Sequence, residues 1–145
     1  MKKYISILAL LLGILMLLSS CGGELPTNDT DLVAKMEGEG YEVRRTVGED
    51  RIAEYVSEYG LGEGDTIAIV HAEKKSKTND VLLTMGTFLF CKDENTVLTL
   101  KSAIEESLKD QFGFINNPAY RDFTVKQDGL VVFFGTKSVW ETAND

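Results

Sequence analysis

The residues best suited to covalent chemistry in this chain are a thiol, Cys91, and the single histidine, His71. A histidine beside a cysteine can accept the thiol proton, and the resulting thiolate attacks electrophilic carbons. Both residues lie in apolar segments that predict neighbouring strands, so a pair is geometrically conceivable. The sequence around them favours a different interpretation, because Cys91 follows Phe88-Leu89-Phe90 and free cysteines are among the most buried residues. We therefore expect a buried thiol, a hydrogen-bonded strand histidine and no catalytic residue.

The second cysteine, Cys21, ends a segment with the layout of an export signal. Lys2 and Lys3 give a positive start, Tyr4 to Leu18 is an almost unbroken apolar run, and Leu18-Ser19-Ser20-Cys21 closes it. This ending resembles the lipobox of bacterial lipoproteins, in which an aliphatic residue and two small residues precede the cysteine that takes the lipid. The resemblance implies cleavage before Cys21, its lipidation, and attachment to the extracytoplasmic face of the cell membrane.

Two other interpretations of residues 1–21 remain open. A signal anchor would keep the segment as a membrane span, but a span needs about 20 apolar residues. This run is shorter, and Ser6 and Gly13 lie within it. An ordinary secretory signal would leave Cys21 as an incidental thiol, but its cleavage site prefers a small residue where Leu18 stands. If Cys21 does carry lipid, two acyl chains give stable anchoring, whereas one chain binds only marginally.

The composition restricts the partners and cofactors that we expect. The formal net charge is −8, and loss of Lys2 and Lys3 with the signal makes the remaining chain more acidic. Binding to nucleic acid needs a surplus of Lys and Arg, so we expect no nucleic-acid partner. With Cys21 lipidated, Cys91 has no cysteine left to pair with. One Cys and one His cannot form a zinc site, and we expect no metal and no cofactor.

Two clusters could bind cations or phosphate, and each has a simpler explanation. The segment Gly60-Leu61-Gly62-Glu63-Gly64 follows a predicted helix, whereas a phosphate loop precedes one, so we interpret it as a turn. Asn28, Asp29 and Asp31 could hold a weak calcium ion, but they lack the twelve-residue loop spacing and its closing glutamate. A solvated acidic face is the simpler interpretation of these residues and of the acids that follow them.

A basic cluster, Lys74, Lys75 and Lys77, lies between two predicted strands. Lysines at an anionic surface each contribute about 1 kcal/mol of attraction, so the cluster could contact an acidic wall polymer or lipid headgroups. The simpler interpretation is a soluble hairpin tip, whose lysines also discourage pairing with another sheet edge. We favour the hairpin tip.

Periodicity and turn residues predict the helices and strands around these residues. Helical spacing or capping residues predict helices at 29–37, 50–59, 93–112 and 136–143, and apolar or alternating runs predict strands at 41–47, 66–72, 81–91, 123–128 and 130–135. The order is α-β-α-β-β-α-β-β-α. Hairpins such as the one at Asp128-Gly129 predict an α+β fold with a mostly antiparallel sheet and helices packed on one face. Gly86, within a strand, indicates a bulge or a closely packed helix.

The chain thus divides into a lipoprotein signal peptide at 1–20, a flexible tether at 21–28 and a single domain at 29–145. The end of that domain, with a glycine turn followed by Phe133-Phe134-Gly135-Thr136 and a short helix, resembles small uncharacterised lipoproteins of Gram-positive bacteria. This resemblance implies no activity. We interpret the motif as structural, with aromatics for the core, Gly135 leaving the strand and Thr136 capping the helix.

Together these observations predict a lipid-anchored extracytoplasmic protein that acts as a non-catalytic binding or accessory module. Its expected partners are the membrane, through the lipid on Cys21, and a cell-envelope protein or a small ligand. Two alternatives remain: a solute-binding component associated with a transporter, and a thiol-dependent hydrolase that uses Cys91 and His71. The first is weakened by size, because such proteins commonly need two lobes around a cleft.

Overall fold

The computed structural model describes residues 25–48, 52, 65–112 and 122–145, with the backbone alone for residues 109–112. Several predictions lie outside these residues. They are the signal peptide with Cys21, the glycine-rich turn at 60–64 and, apart from Ile52, the helix predicted at 50–59.

Within the described residues the chain forms helices and strands in the order α-β-β-β-α-β-β-α. The helices are α1 (Asp29–Gly38), α2 (Glu94–Phe112) and α3 (Lys137–Asn144). The strands are β1 (Glu42–Thr46), β2 (Thr66–Lys75), β3 (Leu82–Cys91), β4 (Phe123–Asp128) and β5 (Val131–Thr136). This order confirms the predicted α+β class.

The five strands form one sheet in the order β1-β2-β3-β5-β4, and each neighbouring pair is antiparallel. The two longest strands, β2 and β3, pair as a hairpin at the centre. The β4–β5 hairpin turns at Gly129, whose positive φ of 51° suits a glycine. The predicted antiparallel sheet and the hairpin at Asp128-Gly129 are therefore confirmed.

One face of the sheet, here called the aromatic face, packs against α1 and α3. Its strands contribute Ala68, Val70, Ala72, Phe88, Phe90, Val131 and Phe133. The helices cover them with Leu32, Met36, Val139 and Ala143. The rings of Phe88 and Phe133 lie 4.7 Å apart between centroids, and Trp140 lies 5.3 Å from Phe133. Tilted aromatic pairs at such distances add to the free energy gained from burial alone.

The opposite face, here called the aliphatic face, packs against α2, so the prediction of helices on one face is wrong. Ile69, Leu89, Cys91 and Val132 of the sheet contact Val97, Leu100 and Ile104 of α2, and Ile52 joins this cluster. The sequence of the central strands explains this arrangement. Their apolar runs are continuous rather than alternating, so both faces are apolar and both must be covered.

At Gly86, α3 packs closely against the sheet. A Cβ placed on Gly86 would lie 2.5 Å from Cε2 of Phe133 and 2.8 Å from Cγ1 of Val139. Its cross-strand neighbour is Gly135. Because the register of β2 and β3 is regular around Gly86, the structure favours the predicted helix contact over a bulge.

Thr136 precedes α3 as predicted, but its hydroxyl makes no capping bond to the helix. Instead, the Met85 amide donates to Oγ1 of Thr136 at 3.2 Å. The predicted capping hydrogen bond is therefore wrong, because the Thr136 side chain links β3 to the end of β5 instead. By contrast, Asp93 accepts a hydrogen bond from the Thr96 amide at 2.8 Å and caps α2 as predicted.

Candidate functional site

The structure separates Cys91 from His71. Both lie on the aliphatic face, but Cys91 opposes Thr66 whereas His71 opposes Thr87. Thr87 and Cys91 are four residues apart on β3, which corresponds to about 13 Å at the usual strand rise of 3.3 Å per residue. A hydrogen bond between thiol and imidazole needs about 3 Å, so the sheet does not bring the two residues together as a pair.

Cys91 is a buried thiol, as predicted, with 1% of its surface exposed. Burial, together with the charges of Asp93 and Asp65, raises its pKa to about 12. Its Sγ donates a hydrogen bond to the Leu89 carbonyl at 3.6 Å. Because the thiolate is the nucleophilic form, this environment keeps Cys91 unreactive at neutral pH.

His71 belongs to a polar row on the part of the aliphatic face formed by β1 and β2. Its Nδ1 lies 2.9 Å from the Thr87 hydroxyl, and its Nε2 lies 3.4 Å from Oε2 of Glu73. The Glu73 carboxylate also forms ion pairs with Arg44, at 3.8 Å, and with Lys75, at 3.3 Å. Both ring nitrogens of His71 therefore have partners, which confirms the predicted hydrogen-bonded strand histidine.

The order carboxylate, imidazole, hydroxyl in this row has the elements of a nucleophilic triad, but the burial excludes that use. Thr87 is 1% exposed, so its hydroxyl cannot reach a substrate from solution. Burial lowers the pKa of His71; the hydrogen bond that the ring donates to Glu73 opposes this effect, and the charge of Arg44 adds to it. The row is best described as a satisfied polar network within the sheet.

The lysine cluster is largely engaged with its own domain. The ammonium group of Lys74 lies over the Tyr41 ring, 4.1 Å from its centroid, and Lys75 pairs with Glu73. Lys77 lies in the β2–β3 turn. This arrangement supports the interpretation as a hairpin tip over an anion-binding surface, because two of the three charges already have partners.

The acidic residues near the domain entrance have structural partners. Asn28 caps α1 by accepting from the Asp31 amide at 2.8 Å, and its own amide donates to the Asp31 carboxylate. Asp29 pairs with Arg45 of β1. Across residues 25–48, 52, 65–112 and 122–145, no group of three or more His, Cys, Asp or Glu side chains could hold a metal ion.

An apolar groove at one end of the sheet is the best candidate for a binding site. It has a volume of about 330 Å³. It is lined by Leu25, Pro26, Thr27, Ile67, Phe90, Cys91, Asp128, Gly129, Leu130 and Val131. The lining thus comes from the start of β2, the end of β3, the β4–β5 turn and the segment that precedes α1. We call it the entry groove, because the chain enters the domain there.

Leu25 fixes the chain in the entry groove. Its side chain is 4% exposed and packs into the core of the aromatic face. It lies within the segment predicted as a tether, so packing of the domain extends to Leu25 rather than beginning at Asp29. The sequence indicated this only weakly, because Leu25 is an isolated apolar residue among Gly, Glu, Pro and Thr.

The rim of the entry groove exposes large apolar side chains. Ile67 is 59% exposed and Leu130 is 42% exposed, and Val47, 41% exposed, follows the end of β1 on the same side. Ile67 is turned outward by a bulge, because Thr66 opposes Cys91 and Ala68 opposes Phe90, which leaves Ile67 unpaired. Sequence reasoning missed this rim, since Ile67 lies in a run that reads as continuous core.

No protein-family model, curated protein or solved structure matches the chain. In the part of the chain that the structure describes, no helix combines the length and the apolar character that crossing a membrane requires.

Proposed function

We propose that the protein is a membrane-anchored extracytoplasmic lipoprotein whose domain is a non-catalytic binding or accessory module. The observation that carries the proposal is the sequence Leu18-Ser19-Ser20-Cys21 after an apolar run, four residues before Leu25 packs into the domain. A cysteine so placed can join the domain to lipid through a very short segment.

The geometry around the reactive residue types supports a non-catalytic module. Cys91 is buried with a raised pKa, and His71 is held by Thr87 and Glu73 at another position of the sheet. A thiol-dependent hydrolase needs the thiol and the base in contact and open to substrate. The hydrolase alternative therefore has less support than binding.

The entry groove supports binding as the activity of the module. Sites for small molecules commonly have volumes of about 300–1,000 Å³ and mostly apolar linings, and the groove lies at the lower end of that range. The solute-binding alternative is less well supported, because the groove is at one end of a single sheet rather than between two lobes.

The anchoring part of the proposal is tested with two cysteine variants expressed as full chains. Cys21→Ala is expected to abolish incorporation of a labelled fatty acid and to release the protein from the membrane fraction. Cys91→Ala is the matched control, because it removes the other thiol and is expected to leave both signals unchanged. Membrane retention and fatty-acid labelling of Cys21→Ala at the level of the unmodified chain would contradict the proposal.

A further inference from the structure

We propose that the end of the domain around the entry groove lies on the bilayer surface, with Val47, Ile67 and Leu130 in contact with the interfacial region of the lipid. The inference rests on the proposed lipidation of Cys21. The exposed apolar rim would then contact the membrane to which the chain is attached.

The length of chain between the lipid and the domain carries the first step of the argument. Leu25 is packed in the entry groove, and Cys21 is four residues before it. Four residues span at most about 14 Å even when fully extended. A lipid on Cys21 places that residue at the membrane surface, so the entry groove must be within about that distance of the headgroups.

The distribution of exposed apolar side chains carries the second step. Ile67 and Leu130 line the groove, and Val47 follows the end of β1, where Thr46 opposes Ile69. All three are exposed and lie at the end of the sheet where Leu25 packs, whereas Val81 and Leu83, which are also exposed, lie at the other end. Side chains of this type lose contact with water when they enter the interfacial region, and that transfer is favourable.

The charges at this end indicate an apolar contact rather than an electrostatic one. Asp65 and Lys92 form an ion pair beside the groove, and Asp128 lies in its lining. Among the described residues at this end, cations are not in surplus for anionic headgroups, and the chain as a whole is acidic. The contact is therefore expected to be the same in zwitterionic and in anionic bilayers.

The tip of the β2–β3 hairpin supplies a matched control position. Leu83 is 53% exposed, close to the 59% of Ile67, but it lies at the opposite end of the two central strands. A ten-residue strand is about 30 Å long, so Leu83 should stand well clear of the lipid. The two positions thus differ in their distance from Leu25 and the entry groove, and hardly at all in exposure.

The experiment uses the full lipidated chain, purified from membranes and reconstituted into phosphatidylcholine vesicles. Ile67→Cys, Leu130→Cys and Leu83→Cys are labelled with an environment-sensitive fluorophore; lipid blocks Cys21, and burial protects Cys91. Vesicles that contain lipid spin-labelled near the headgroup should quench the fluorophore at positions 67 and 130 at least twofold more than at position 83. Replacing a third of the phosphatidylcholine by phosphatidylglycerol should leave this ratio unchanged.

The outcomes separate this inference from the proposed function. Equal quenching at all three positions in protein that floats with the vesicles would overturn the inference and leave the lipid anchor intact. A quenching ratio that changes with phosphatidylglycerol would also overturn it. So would a fluorescence change at position 67 that follows the protein density in the vesicles and not the content of spin-labelled lipid. Failure of the full chain to float with vesicles would instead overturn lipidation of Cys21.

Discussion

Both faces of the sheet are covered by helices, but the side chains that pack between sheet and helix differ. The aromatic face is closed by α1 and α3 over Phe88 and Phe133, whereas the aliphatic face is covered by α2 over β3, β5 and β4. On the aliphatic face the β1–β2 side carries the polar row of Arg44, His71 and Glu73. The aliphatic face therefore also holds the two side chains best suited to chemistry, with Cys91 buried and both ring nitrogens of His71 hydrogen-bonded.

Truncating a side chain should destabilise the protein most on the aromatic face. Phe133→Ala removes a ring that contacts Phe88, Trp140 and the Gly86 backbone, and we expect a loss of about 3–5 kcal/mol in the free energy of unfolding. Val132→Ala, the adjacent residue on the aliphatic face, removes fewer atoms and should cost about 1–3 kcal/mol. Urea unfolding followed by the fluorescence of the sole tryptophan, Trp140, measures both. Equal losses would show that the two faces contribute alike.

On the aliphatic face, Cys91 should resist alkylation at neutral pH. A pKa of about 12 in place of 9.0 reduces the thiolate fraction by roughly a thousandfold. We expect mass spectrometry to show labelling of Cys91 by iodoacetamide only after unfolding. The exposed cysteine of Leu83→Cys is the control, since it should react within minutes in the folded protein. Labelling of both thiols at similar rates would contradict the burial of Cys91.

The closeness of α3 to the sheet can be tested by adding one methyl group. Gly86→Ala places a Cβ against Phe133 and Val139, and we expect a loss of about 1–3 kcal/mol in the free energy of unfolding. Gly38→Ala is the control, because a Cβ at Gly38, the last residue of α1, meets nothing within 4 Å. That control should be neutral or slightly stabilising. An unchanged free energy of unfolding in Gly86→Ala would mean that α3 can shift away from the sheet without loss of stability.

The smallest effect concerns pH and the polar row. The pKa of His71 is lowered in the fold, so the unfolded chain binds a proton first as pH falls below about 6.5. Stability contributed by neutral His71 is fully present above that pH and declines below it. We expect the unfolding free energy to fall between pH 7 and pH 5.5, and to fall less in His71→Gln. Identical pH profiles for both chains would contradict this role of the sole histidine.

Much of the fold could be predicted because local signals and the packing agree. Asp93 caps α2, Asp128-Gly129 forms the turn between β4 and β5, and Gly86 leaves room for α3 to pack closely. Each of these is a short-range feature with one physical cause. The position of α2 could not be predicted in this way. It depends on both faces of β3 and β5 being apolar, which appears in the sequence as continuous runs without saying which helix covers which face.

The candidate site was harder to predict than the fold. The groove depends on Leu25 folding back onto the core and on a bulge that turns Ile67 outward, and both depend on contacts between distant segments. An isolated leucine and an isoleucine in an apolar run carry no local mark of those contacts. The inertness of Cys91 was predictable from its neighbours, but the partners of His71 required the strand register.

The outermost strands of the described sheet have a consequence for crowding. β1 has only five residues and presents Arg44 and Arg45, which are exposed, and β4 presents the exposed Lys126. Short, charged outer strands resist pairing with the strands of another molecule. Proteins confined to a membrane by lipid meet one another at high local density and in similar orientations. If the proposed lipid anchor holds this chain on a membrane, edges of this kind would let many copies share a small area and remain separate.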